Sequence, residues 1–244
     1  MPQVLTAEQK LSRWEDTREI KNLVGRMSTD YVLKEERSML ARYWSAREDI
    51  CLGVNEGWFS GRSAVAEYYA GQEERIAAES AMIQAAFPKE LGEKSAGEVH
   101  GVGMIDYKPV DTGVIEVAGD GQTAKGLWMI RGSYSKLTSG GPAAYWEWSW
   151  LAIDFVREAG EWKIWHQQYL REIDRPCGYP WVGEEHAFQP RDEFAGAEGI
   201  REAAPNVAAP LRQTYSAHRP FTPSPEVPVP YDTFAHTFSY GLDV

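Results

Sequence analysis

The chain has 244 residues, 43% of them hydrophobic, which is enough for one large domain with a sizeable core or for one domain plus an extension. Its formal net charge of −11 argues against nucleic acid or an anionic membrane surface as partner, because both need concentrated lysine and arginine. No apolar run approaches a membrane span, Met1 to Lys10 lacks a basic stretch followed by an apolar core, and Cys51 and Cys177 stand alone as in a reducing compartment, so a cytoplasmic protein is expected.

Ile20, Leu23, Val24, Met27 and Tyr31 follow the spacing of one helix face. Asp16 or Thr17 would cap a short version of that helix, whereas Leu11 and Trp14 point to an earlier start. A second short helix is predicted over Glu35 to Tyr43, a strand over Ile50 to Val54, and a turn or short strand over Gly57 to Gly61. Ser63 is then expected to cap a third helix that runs through Val65, Tyr69 and Ile76 to about Phe87, before Pro88.

From there the period changes from helical to alternating. Val99 to Val117 reads as one bent strand or two, with Pro109 and Gly113 at the kink. Strands over Thr123 to Leu137, Tyr145 to Arg157 and Glu161 to Ile173 follow, separated by turn signals at Ala118-Gly-Asp-Gly-Gln122, Thr138-Ser-Gly-Gly-Pro142 and Ala159-Gly160. Helices first and strands after predict an α+β fold: a curved antiparallel sheet wrapped around the N-terminal helices as a cone-shaped barrel.

Composition shifts near Pro176, since ten of the fourteen prolines lie from there onward. The run from Pro220 to Pro230 within this stretch excludes helix and central strand. Phe188, Phe194, Tyr215, Phe221, Tyr231, Phe234, Phe238 and Tyr240 are too many aromatics for a typical disordered tail. The expected division is therefore a domain over 1–175 and an ordered, irregular arm over 176–244 that packs on the domain or on a neighbouring subunit.

Two segments carry a resemblance. Lys108-Pro-Val-Asp-Thr-Gly-Val-Ile-Glu-Val117, continuing to Trp128, and Asp154-Phe-Val-Arg-Glu-Ala-Gly-Glu-Trp-Lys-Ile-Trp-His166 resemble the SnoaL-like branch of the nuclear transport factor two-like superfamily, over about residues 8 to 175. The resemblance implies helices filling the open face of a curved sheet. It also implies a cofactor-independent enzyme that uses a few polar side chains in an apolar cavity, in the manner of polyketide cyclases, dehydratases, steroid isomerases and lignin-dimer formaldehyde lyases. Some such proteins are non-catalytic binding modules. A homo-oligomer, dimer or trimer, is expected too. Many relatives carry histidine where this chain has Lys108, so a histidine-shuttle mechanism does not transfer unchanged.

The candidate residues follow from chemistry as much as from resemblance. Tyr31 is a phenol at the end of a helix face, able to donate to a leaving hydroxyl, or else an ordinary core tyrosine. Lys108 shares strand parity with Asp106 and Met104, giving a tuned pair in a cavity or a surface ion pair. His166 is a natural proton shuttle, expected to share its face with Trp162, Ile164 and Gln168, with a structural histidine as the competing reading. Arg131 lies mid-strand and could bind a phenolic or anionic oxygen; Trp58 and Phe59 could cover a substrate. Trp146, Trp148 and Trp150 form an aromatic stripe that suits either a cavity wall, with Trp148 against the substrate, or an interface. His100 and Asp111 have the local context of loop or turn residues.

Phosphate-cradling glycine loops, a nucleophile elbow and spaced metal ligands are all missing from the sequence, so no metal or organic cofactor is expected. The ten Trp, twelve Tyr and eight Phe exceed ordinary core needs and suit a flat aromatic ligand, with core packing as the commoner use of such residues. The sharpest expectation is a γ-formaldehyde lyase that converts a phenolic lignin-derived diarylpropane to a stilbene. The alternatives are a dehydratase or isomerase of a steroid, bile-acid-like or polyketide substrate, and a small-molecule binding module.

Overall fold

The computed structural model describes residues 5–33, 35–138, 140–180, 182, 203–209, 214–218, 220 and 225–242. Helix α1 (Ala7–Val32) starts at Thr6, whose side chain accepts from the Gln9 amide while the Gln9 side chain accepts from the Thr6 amide. This reciprocal cap satisfies two otherwise orphaned donors. Asp16 is therefore no cap; it lies buried within α1 and accepts from Arg157 and from the Trp162 indole. Helix α2 (Glu36–Tyr43) follows, then strands β1 (Cys51–Val54) and β2 (Gly57–Ser60).

Helix α3 (Arg62–Ala86) begins at Gly61, whose φ of 90° turns the chain out of β2. No side chain caps it, so Ser63 lies inside the first turn instead of ahead of it. Pro88 opens the short α4 (Pro88–Leu91), where its missing amide is no loss. Ser95 and Glu98 form a second capping box on α5 (Ala96–Val99), which takes Val99 and its neighbours out of the strand expected there.

The sheet begins at β3 (Ile105–Tyr107) and β4 (Val110–Val117), which share one edge of β5 (Thr123–Thr138). It continues through β6 (Gly141–Glu158) and β7 (Glu161–Pro176) to β1, β2 and the two-residue β8 (Val207–Ala208). Pairing is antiparallel except between β1 and β7. Among the described residues the strand order leaves β3 and β8 unjoined, so the curved sheet is not closed.

Parity divides this sheet into two faces. Trp128, Ile130, Leu151, Ile153, Phe155, Trp162 and Ile164 face the helices and form the main core with Ile20, Val24, Met27, Met39, Val65 and Tyr69. Burying these side chains is the main stabilising term, at about 1.5–3 kcal/mol for each large aliphatic or aromatic group. Two β-bulges, between Trp148 and Ser149 and between Asp154 and Phe155 of β6, reset the alternation along β7. In the second, His166 pairs with Asp154 while Ile164 pairs with Phe155, leaving Trp165 as the extra residue.

The arm packs on the outer face over 225–242. Tyr240 is buried against Leu127 and Ala152, with Trp150 and Phe238 around it. Amides of Gly119 and Asp120 donate to the carbonyls of Tyr231 and Asp232 at 2.9 and 3.1 Å. No helix among the described residues is long and apolar enough to cross a membrane.

Candidate functional site

Polar side chains gather at two places on the sheet, one on each face. The inner cluster grows where β5, β6 and β7 carry Tyr134, Glu147 and Asp174. Glu147 stands on the face of β6 that carries Leu151, Ile153 and Phe155, and is only 1% exposed. An isolated carboxylate there would be prohibitively costly, so its partners matter. Ser149 donates to Glu147 Oε1 at 2.9 Å, and the Tyr169 hydroxyl, from β7, donates to the same oxygen. Lys108 donates to Glu147 Oε2 at 3.2 Å.

Lys108 also lies 3.1 Å from Asp106 Oδ1, an electrostatic contact without hydrogen-bond alignment. Its ammonium sits 5.1 Å from the centre of the Tyr134 ring, a cation–π arrangement that holds the long side chain inward. Gly132 makes the approach possible: a Cβ there would lie 2.0 Å from the Tyr107 carbonyl and 2.8 Å from Lys108 Cα. Next to this, Tyr134 donates to Asp174 Oδ1 at 2.7 Å, and Arg171 donates to Asp174 Oδ2 at 3.3 Å. Asn55 locks Arg171 in place, since it receives the Arg171 amide and donates to the Arg171 carbonyl, both at 2.8 Å.

The side chains of Lys108 and Asp106 keep 23% and 20% of their surface accessible while Glu147 keeps 1%. Lys108 and Asp106 thus form the partly exposed side of the cluster, with the glutamate behind them. Burial, reinforced by the charge of Glu147, pushes the Tyr169 phenol well above its ordinary range. At neutral pH Tyr169 is a protonated donor beside a buried acceptor, the pairing that general acid–base chemistry requires.

The outer cluster is sealed. Lys125 and Asp154 are both fully buried, with Nζ and Oδ1 2.5 Å apart. The other Asp154 oxygen receives the Tyr240 amide at 2.7 Å and lies 2.9 Å from His166 Nδ1. Ser239 Oγ reaches both Asp154 and His166, at 3.2 and 3.3 Å. Because Ser239 and Asp154 meet the same ring nitrogen, the three cannot relay a proton through the imidazole. Phe238, Phe234, Tyr240 and Tyr231 surround the Lys125 ammonium at 4.5, 4.6, 5.0 and 6.0 Å from their ring centres. Burial lowers the Lys125 pKa, and Asp154 opposes the shift.

The structure therefore separates the sequence candidates. Lys108 and Asp106 meet at the inner cluster, and Tyr31 is half-buried against the core on the same side of the sheet. Phe59 is buried in that core, 5.0 Å from Tyr68 ring to ring, while Trp58 covers Gly53 on the outer side. His166 lies on the outer face, because the extra residue at Trp165 inverts the parity that would have placed it with Trp162 and Ile164. Arg131 pairs with Trp148 across β5 and β6 on that outer face, and Arg131 is exposed. Trp146 and Trp150 share the Trp148 parity, so the stripe does not line the inner cluster.

Glu147, Ser149, Tyr169, Tyr134, Asp174 and Arg171 did not come out of the sequence as site residues. The available signal was Glu147 itself, an acidic residue in phase with the apolar side of β6. Among the described residues, no three His, Cys, Asp or Glu side chains converge to hold a metal ion. An open groove of about 820 Å³ between α1 and α2, bordered by Lys21, Arg26, Asp30 and Arg42, is lined by none of the inner-cluster residues.

No protein-family model matches the sequence, and no curated protein matches it. Solved structures do resemble the fold. A Mycobacterium tuberculosis protein of unknown function aligns with a TM-score of 0.48 and 14% identity, over 82% of this chain and 95% of that one. An NTF2-like protein with a cystatin-like fold from Novosphingobium aromaticivorans aligns with a TM-score of 0.45 and 17% identity, over 70% and 91%. A hexachlorocyclohexane dehydrochlorinase, LinA-type3, from Novosphingobium barchaimii aligns with a TM-score of 0.45 and 13% identity, over 74% and 99%.

Proposed function

We propose that the inner cluster is the catalytic centre of a lyase acting on a small aromatic substrate, within the SnoaL-like branch of the nuclear transport factor two-like superfamily. The observation that carries this reading is the Glu147 carboxylate, buried on an apolar face and held between Lys108 and the Tyr169 hydroxyl. Acceptor, cation and proton donor lie within one hydrogen-bonded group, with Lys108 as its partly exposed member.

The sharpest form is a γ-formaldehyde lyase for a phenolic diarylpropane diol. The substrate phenol gives its proton to Glu147, and the Lys108 ammonium stabilises the phenolate. The benzylic carbon–oxygen bond breaks, and the hydroxide leaves as water with the Tyr169 proton. The resulting quinone methide is the electron acceptor for the second step. The terminal hydroxymethyl group returns its hydroxyl proton to Tyr169, its carbon–carbon bond to the chain breaks, and formaldehyde departs. The released electron pair makes the stilbene double bond and restores the phenolate, which recovers its proton from Glu147. One diol gives one stilbene, one water and one formaldehyde. His166 takes no part in this scheme; Tyr31, on the helix side, packs near the aromatic substrate.

The test is incubation of the protein with phenolic diarylpropanes, following stilbene absorbance and trapped formaldehyde. Stoichiometric formaldehyde supports the lyase, and water loss alone supports a dehydratase instead. Lys108→Ala abolishes turnover with an unchanged circular dichroism spectrum; near wild-type turnover would sink the assignment. Glu147→Gln lowers kcat by roughly 10²–10⁴-fold, the usual span for losing a general base.

A further inference from the structure

The open groove of about 820 Å³ between α1 and α2 lies apart from the inner cluster. Among the described residues that line it are three cations, Lys21, Arg26 and Arg42, and one carboxylate, Asp30. The chain as a whole has a net charge of −11, so this is a local reversal of sign. Asp30 is already engaged, since Arg42 Nη1 and the Tyr43 hydroxyl both donate to its Oδ2, at 2.8 and 2.6 Å. At the α2 end Lys163, 2.9 Å from Glu161, donates to the Arg42 carbonyl at 3.2 Å. Lys21 and Arg26 are exposed, and neither has a hydrogen-bonding or ion-pair partner among the described residues.

Gly25 forms the floor between them. At about 100° per residue, Gly25, Thr29 and Asn22 fall in the middle of this side of α1, with Lys21 and Arg26 on the two flanks. Glycine weakens a helix interior relative to alanine. A Cβ at Gly25 would nonetheless meet no atom within 4 Å, so no packing among the described residues calls for glycine there. The missing side chain instead deepens the groove, leaving the helix backbone open to close approach between two cations.

We infer that this groove binds a small organic dianion, a phosphate monoester or a dicarboxylate, held over Gly25 by Lys21 and Arg26. Arg26 supplies a planar fork that can meet two oxyanion oxygens, and Lys21 supplies a compact charge. The volume is within the span of roughly 300–1,000 Å³ usual for small-molecule sites. The groove shares no residue with the proposed catalytic centre, so the inference does not rest on that reading.

The experiment is calorimetric titration of the full chain at neutral pH and low salt with phenyl phosphate, with phthalate and, as a neutral control, with benzyl alcohol. At least one dianion should bind at least tenfold more tightly than the alcohol. Tighter phenyl phosphate identifies the phosphoryl class, and tighter phthalate the dicarboxylate class. Arg26→Gln should weaken that dianion at least tenfold. Gly25→Leu fills the floor with a good helix former, so binding should fall at least tenfold while Tm holds or rises. Dianions that bind no better than the alcohol overturn the inference. Binding that survives Gly25→Leu within twofold also overturns it, because a diffuse patch of charge needs no groove. Should Gly25→Leu fail to fold, Arg26→Gln decides, and an affinity within twofold of the wild type refutes the site.

Discussion

Removing Asp154 by substitution with alanine would leave the Lys125 ammonium at zero exposure with four aromatic rings around it and no counter-charge. Breaking a buried pair from one side costs about 3–5 kcal/mol. The same change strips an acceptor from the Tyr240 amide and from Ser239, an added penalty of about 1–3 kcal/mol that overlaps the first. A total near ~4 kcal/mol lowers Tm by about 10 °C in a chain of this size. Urea unfolding followed by circular dichroism reads the loss as a shift in midpoint at constant m-value.

The double replacement Lys125→Met with Asp154→Leu removes the stranded charge and should recover most of the loss. The pH dependence has a definite sign. Burial depresses the Lys125 pKa, so between its folded value and the ordinary 10.5 the unfolded chain binds more protons. Stability from this group is therefore full above 10.5 and is lost as pH falls through the folded value. Without Asp154, which opposes the depression, the window widens and the deficit of the alanine variant shrinks with alkali. An Asp154→Ala loss below about 1 kcal/mol, or a double variant no better than the single, would refute the assignment of a buried, mutually dependent pair.

Two further outcomes test other parts of the structure. Burial pushes the Cys51 thiol up to about 12, and the Leu242 amide donates to its sulfur at 3.4 Å, whereas Cys177 is exposed. A disulfide reagent at pH 8 should label Cys177 promptly and Cys51 only on denaturation; rapid labelling of both would show the arm standing off the sheet. Gly132→Ala would place its Cβ 2.0 Å from the Tyr107 carbonyl, forcing β3 and Lys108 away from β5. Turnover should fall at least tenfold with a smaller fall in Tm, and unaltered kcat would argue that Lys108 needs no such close approach.

Period was the part of the structure most legible in the sequence. The apolar spacing from Ile20 to Tyr31 located α1, and alternation located the three long strands within a few residues. What failed was local. The reciprocal cap at Thr6 and Gln9 needs only two side chains, and a second such pair at Ser95 and Glu98 turned Val99 into helix. The face of His166 hinged on one extra residue at Trp165, which leaves no mark on the composition of either strand. At the inner cluster, parity paired Lys108 with Asp106. Glu147 was legible only as an exception on an apolar face, and Asp174 lies beyond the bulge between Trp148 and Ser149, whose extra residue on β7 is Glu172, so that a fixed alternation no longer applies. The aromatics between Tyr231 and Tyr240 were visible in the sequence, but not that their rings would close around a lysine.

That enclosure has a consequence for the order in which the molecule assembles. Lys125, Asp154 and His166 all lie in strands made before residues 231–240, so a growing chain presents them to water first. Hydration keeps the three charged or polar groups at little cost during that interval, and the helix-facing core draws none of its members from residues 231–240. The roof then dehydrates a pair whose geometry is already set, which makes docking of the arm a late and cooperative event. In reverse, lifting the arm rehydrates Lys125 and Asp154 together without opening the core. Unfolding that begins there is a local step, and protease cleavage near the arm would measure its frequency separately from global stability.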